Sequence, residues 1–205
     1  MPQLVFIRHG NTFEAGETPR MVGGMTDMKL TAAGEQQGHR AAEMVVARFA
    51  PLSAIITGPL QRTKRFAEII GAATNSSFTL EERLREINYG LWENKSADEV
   101  KAEFGADVLE GWEKKGIWPE GMNWEPSKEK LERNIRYFLA DQAKNLALPK
   151  AGNRVVITSN GILRFVYHVV TGKAPTPEAK VRTGHYCVIS PSAEGWAIEA
   201  WDMKP

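Results

Sequence analysis

The chain has one cysteine, Cys187, in 205 residues. An intrachain disulfide is therefore excluded, and a thiol within the apolar run Tyr186 to Ile189 reads as a buried, inert side chain. No apolar run approaches the roughly 20 residues that a membrane span needs. Neither sign of charge is in excess: 26 Lys and Arg against 25 Asp and Glu leave a net charge of +1. That balance gives no support for nucleic-acid or polybasic membrane binding, so any cationic site must be a local cluster. No His, Cys and Asp residues recur at metal-ligand spacing, and no metal or other cofactor is expected. Met1-Pro2-Gln3 leads straight into an apolar segment without a basic n-region or cleavage-like site, and the expected location is cytoplasmic.

What is present is an alternation of buried strands and helices. The length suits a single domain spanning 1–205. Leu4 to Ile7, Ala54 to Thr57 and Arg154 to Thr158 are continuous apolar runs of the kind buried on both faces of a sheet. Thr31 is placed to cap a helix that Pro51 stops. Gly58-Pro59 opens a second helix, with proline in its first turn and Gly71 as terminator. A third begins at Ser127, carries Leu131, Ile135, Phe138, Leu139, Gln142 and Leu146 on one stripe, and is closed by Pro149 and Gly152. A fourth runs through Val170 and stops at Gly172. Tyr186 to Ile189 and Trp196 to Trp201 form a closing hairpin. The expected class is α/β: a three-layer α/β/α sandwich about a largely parallel, mixed sheet. Residues 89–126 are the least regular part and hold four of the six tryptophans. They read as an inserted cap or lid, with a weakly patterned helical layer over the core as the alternative.

Ligands of open α/β sheets bind outside the carboxyl ends of the strands. The first strand delivers Arg8, His9 and Gly10 there, and the second delivers Arg62 at a helix start. The third delivers Ser159, Asn160 and Gly161 at a helix N-terminus, where free N–H groups and the helix dipole favour an anion. Two guanidiniums, an imidazole and an amide-rich turn suit a tetrahedral oxyanion, because the planar arginine fork meets phosphate oxygens bidentately. Taken singly, Arg62 would be a helix charge and Asn160 a helix cap. Their coincidence with His9 at one sheet edge makes them a site.

Five ordered landmarks resemble the histidine phosphatase superfamily (phosphoglycerate-mutase-like, branch 1). They are Arg8-His9-Gly10-Asn11-Thr12; Asp27 with Leu30-Thr31-Ala32-Ala33-Gly34 and Gln37; Thr57 to Thr63; Leu84 to Glu93; and Ser159-Asn160-Gly161. The resemblance implies a phosphoglycerate-mutase-like fold in which His9 is the nucleophile, Arg8 and Arg62 bind phosphate, and Glu86 is the general acid and base. Asn11, Thr12, Asn160 and Gly161 complete the expected phosphate site, with Gly24 and His185 as further candidates. Asn160 stands where members of the family usually carry a second histidine.

The resemblance thus implies a metal-independent phosphomonoester hydrolase acting on a small molecule, slowed by Asn160. A catalytically weak phospho-ligand-binding or regulatory member is the alternative, and a phosphoglycerate-mutase-type phosphotransferase is third. Phe13, Ala15, Gly23 and Gly24 are expected to leave the substrate side apolar and roomy, favouring a bulkier or less charged ester. A homodimer is left open.

Overall fold

The computed structural model describes residues 1–205. In chain order the elements are β1 (Leu4–Arg8), α1 (Ala32–Phe49), β2 (Leu52–Thr57), α2 (Gln61–Thr74) and β3 (Phe78–Leu80). Then come α3 (Ala97–Phe104), α4 (Ala106–Lys115), α5 (Lys128–Leu146), β4 (Asn153–Thr158), α6 (Asn160–Thr171), β5 (Tyr186–Ser192) and β6 (Gly195–Met203). The six strands form one sheet in the order β3-β2-β4-β1-β5-β6. The first four are mutually parallel, β5 runs antiparallel to β1, and β6 antiparallel to β5.

The continuous apolar strands are buried on both faces. Val5, Ile7, Val155 and Ile157 pack with the apolar sides of α1 and α2. Leu4, Phe6 and Val156 pack on the other face with α5 and α6. Period-two alternation therefore feeds two cores from strands that look uniformly apolar. The helix following β1 lies on one face and the helix following β4 on the other, although β1 and β4 are neighbours. Their diverging carboxyl ends open the crevice that holds the site.

Local signals account for most boundaries. Thr31 accepts the Gly34 N–H and caps α1. Every residue of the expected α5 stripe is buried. Gly172 adopts φ 72 and ends α6.

Helix α2 departs from expectation at both ends. It starts at Gln61, because Asp27, distant in sequence, accepts the Gln61 N–H at 2.8 Å and takes the capping role. It also continues past Gly71 to Thr74 and ends on Asn75 at φ 50. Gly71 serves packing instead, since a Cβ there would meet the Ser76 carbonyl at 2.6 Å. Strand β3 has no sequence signal, being three residues at a sheet edge with two of them exposed.

Residues 89–126 contain α3, α4 and an aromatic cluster centred on Trp124. Its ring centroid lies 4.8 Å from Tyr89, 5.1 Å from Trp92, 4.9 Å from Trp112 and 5.0 Å from Trp118. The cluster is continuous with the core beneath α5 and α6. No helix is long and apolar enough to cross a membrane.

Candidate active site

Strand β1 places His9 at the crevice, where its N–H bonds the Thr158 carbonyl of the neighbouring strand at 3.1 Å. The following residue must be glycine: a Cβ on Gly10 would lie 2.3 Å from the Gly34 carbonyl oxygen. The Gly10 carbonyl is 2.7 Å from His9 Nδ1 and can only accept, so Nδ1 carries the proton. Nε2 is left as the acceptor and takes a hydrogen bond from Arg62 Nε at 3.2 Å. Burial, with the Arg62 and Arg8 charges adding to it, holds the His9 pKa well below the ordinary histidine value. The imidazole is neutral, and its one ring lone pair, on Nε2, receives the Arg62 N–H.

Arg62 is 1% exposed and rigidly held. Its Nη1 donates to Thr26 O at 2.9 Å, and its Nη2 to Gly23 O at 3.1 Å and Val22 O at 3.3 Å. Arg8 and Asn160 are joined through the backbone of one residue, Val181. Arg8 Nη1 donates to Val181 O at 2.6 Å, and the Val181 N–H donates to Asn160 Oδ1 at 2.9 Å. That bond fixes the amide with Nδ2 as its free end. Arg8 Nε and Ser159 Oγ are buried without a protein partner.

Glu86 is brought in by the loop after β3 and is 5% exposed. Its carboxylate accepts the Ile87 N–H at 2.9 Å and the Gly161 N–H, in the first turn of α6, at 3.0 Å. Burial pushes its pKa up, against the two N–H bonds and the Arg62 and Arg8 charges. Gly161 admits no side chain, since a Cβ would sit 2.3 Å from Glu86 Oε1.

These groups line one cleft of about 520 Å³, which brings together Arg8, His9, Asn11, Thr12, Arg62, Glu86 and Asn160. The Asn11 side chain also serves the scaffold, accepting from Thr183 Oγ1. Two expected residues lie elsewhere. Gly24 packs its backbone against the 86–88 segment, where a Cβ would meet the Glu86 carbonyl at 2.6 Å. Gly23 is equally enclosed, 2.1 Å from Glu93 Oε1 on the same measure, so the expected room is filled by that loop. His185 lies in a separate small cavity with Gln37, Arg40 and Lys204, its Nδ1 3.0 Å from Asp202. Its side chain does not line the cleft, although its carbonyl accepts the Arg8 N–H at 3.0 Å.

The cleft also has a wall that sequence reasoning did not assign, made of Tyr89, Trp112, Glu113, Arg164 and Lys180. One signal was available: Arg164 follows Asn160 by four residues, which puts both on one helix face.

A neutral imidazole flanked by the buried Arg62 and the half-buried Arg8, with a carboxyl of raised pKa in the same cleft, makes an α/β site suited to an anion. The model of the histidine phosphatase superfamily (branch 1) matches residues 4–204, and the chain belongs to that family. It is 32% identical to a probable phosphoglycerate mutase GpmB of Salmonella arizonae, covering 97% of this chain and 92% of that protein. The corresponding protein of Klebsiella pneumoniae is 33% identical over the same shares. Among solved structures, a mycobacterial glucosyl-3-phosphoglycerate phosphatase superposes with a TM-score of 0.81 at 21% identity, covering all of both chains. A phosphoserine phosphatase mutant of Entamoeba histolytica, in complex with phosphoserine, gives a TM-score of 0.75 at 19% identity, covering 98% of this chain and 97% of that one.

Proposed function

We propose that the protein is a phosphomonoester hydrolase working through a phosphohistidine on His9. The observation that carries this is the fixed tautomer of His9: the bond from Nδ1 to Gly10 O leaves Nε2 unprotonated in the cleft. Arg62 Nε–H passes from Nε2 to a phosphoryl oxygen, and the freed Nε2 attacks phosphorus while Arg8 and Arg62 neutralise the equatorial oxygens. The ester P–O bond breaks, and its oxygen leaves as the alcohol with the proton of Glu86. The raised Glu86 pKa supports that proton donation, and the carboxylate left behind is the base for the second step. A water oxygen then attacks the phosphohistidine and gives its proton to Glu86. Inorganic phosphate and free imidazole result. Asn160 stands in for the family's usual second histidine and offers Nδ2 to the phosphoryl group.

The test is phosphate release from a panel of phosphomonoesters, combined with rapid-quench trapping of acid-labile phosphohistidine. Label on the wild type and none on His9→Ala is the expected outcome. Equal background release from both would refute the hydrolase.

A second reading, transfer of the phosphoryl group to another hydroxyl, is favoured by the names of the relatives in Salmonella and Klebsiella. Following labelled phosphoglycerate separates the two: hydrolysis yields inorganic phosphate, and transfer yields an isomeric ester.

A further inference from the structure

Ser159 stands at the N-cap of α6 and does not cap it. Its backbone, at φ −112 and ψ 170, has the extended conformation from which a serine hydroxyl accepts an N–H two or three residues on. Thr31, Ser96 and Ser127 hold the same position before α1, α3 and α5, and each accepts a first-turn N–H. Ser159 is 1% exposed, and its hydroxyl has no protein partner of any kind. One N–H within the reach of an N-cap, that of Gly161, is held instead by Glu86 Oε2 at 3.0 Å. Buried hydroxyls are rarely left idle, and this one lies beside the acid of the site.

Glu86 has two states with different needs. As a carboxylate it accepts two N–H groups, Gly161 on Oε2 and Ile87 on Oε1. As the acid it loses acceptor capacity and must turn an O–H toward the leaving oxygen. Ile87 is the next residue in the chain, so the bond to be given up is the one to Gly161. A buried N–H left without an acceptor is costly, and that cost falls on the acid form alone. We propose that Ser159 is a standby cap: when Glu86 takes up its proton, the Ser159 hydroxyl turns about Cα–Cβ to accept the Gly161 N–H and releases the carboxyl group toward the cleft. The inference rests on the assignment of Glu86 as proton donor. Ser159 does not line the cleft, so it is a positioning residue that acts through Gly161 and Glu86. The charged and titratable groups around Glu86 are Arg8 from β1, Arg62 from α2, Arg164 from α6, and His9 and Tyr89 in the same cleft. A substitution at Ser159 alters none of them.

The test is the pH profile of kcat/KM for the wild type, Ser159→Ala and Ser159→Thr. In Ser159→Ala the alkaline limb should move down by about one pH unit, the tenfold change in ionisation constant expected when the acid form loses one buried hydrogen bond. The acidic limb, set by His9, and the affinity for inorganic phosphate should stay where they are. Ser159→Thr keeps the hydroxyl and should keep the wild-type limb. A serine with only a structural role would leave both limbs in place. An alkaline limb unmoved in Ser159→Ala, or moved as far in Ser159→Thr, would overturn the proposal. Should Ser159→Ala not fold, Ser159→Gly replaces it, since glycine at an N-cap costs a helix little. Glu86→Gln is measured alongside. If it hydrolyses esters at the wild-type rate, Glu86 is not the acid and that assignment fails. If it is impaired while Ser159→Ala matches the wild type, the standby cap alone fails.

Discussion

Glu86 Oε2 accepts the backbone N–H of Gly161 at 3.0 Å, which ties the loop after β3 to the first turn of α6. Through this bond the position of the carboxyl group depends on the absence of a side chain at 161. A Cβ at that position would also lie 2.9 Å from Ile87 Cδ1.

Gly161→Ala should therefore displace Glu86 rather than be absorbed by the helix. If Glu86 is the proton donor, kcat should fall by about 10²-fold, within the range that general acid–base catalysis contributes. Affinity for inorganic phosphate should change less, because Arg8 and Arg62 are untouched. Steady-state kinetics on Gly161→Ala beside Glu86→Gln checks this, and a full-rate Gly161→Ala would break the link.

The depressed His9 pKa has a consequence for stability. Between the folded and unfolded pKa values the unfolded chain binds a proton that the native state refuses, so stability rises with pH there. The contribution is complete above about 6.5, the unfolded value, and is lost as pH falls through the folded value. His9→Gln should remove it. Chemical denaturation at pH 7 and pH 5 should show the variant losing less stability on acidification than the wild type. Parallel losses would mean that His9 is charged in the native state.

The same two groups set the activity profile. His9 must be neutral and Glu86 protonated at the first step, and their pKa values are shifted toward one another: histidine down, glutamate up. The kcat/KM profile, corrected for the ionisation of the substrate, should be bell-shaped, rising as His9 loses its proton and falling as Glu86 loses its own. Loss of the alkaline limb in the wild type would rule out Glu86 as the acid.

Much of this arrangement was legible in the sequence because it depends on local features. The apolar runs at Leu4 and Arg154, the Thr31 cap and the Gly172 terminator each act within a few residues. The same is true of strand ends that carry Arg8, His9 and Asn160. What was missed depends on contacts between distant segments. Asp27 capping Gln61 from 34 residues away moved the start of α2. The enclosure of Gly23 and Gly24 by the 86–93 loop cannot be read from a pair of glycines, which look open in any sequence. Arg164 was passed over for a similar reason: only the fold brings Trp112 and Pro175 against it.

Trp124 touches Tyr89, Trp92, Trp112 and Trp118, and two of these four line the cleft. Trp124→Ala should cost about 3–5 kcal/mol, the usual range for emptying a buried indole site. The segment should melt together with the sheet, in a single transition seen by both tryptophan fluorescence and far-ultraviolet circular dichroism. Separate transitions would identify 89–126 as an independently folding cap.

Asn160 offers the clearest substitution series, because its two amide ends face different tasks. Oδ1 holds the Val181 N–H, whose own carbonyl holds Arg8, while Nδ2 remains free. Asn160→Asp keeps the acceptor, removes the donor and adds a charge that repels phosphate. It should lower kcat/KM by about 10²-fold or more, the scale expected for losing a transition-state donor. Asn160→His as an imidazolium presents a charge-assisted N–H to the phosphoryl group, roughly twice as strong as a neutral bond, but both ring nitrogens then donate and the Val181 N–H loses its acceptor. With the phosphoryl bond dominant, kcat should rise by about tenfold. Inorganic phosphate affinity, measured alongside, separates the two tasks. A fall in both kcat and phosphate affinity for Asn160→His would show that the Val181 bond, and with it the placement of Arg8, matters more than the missing donor.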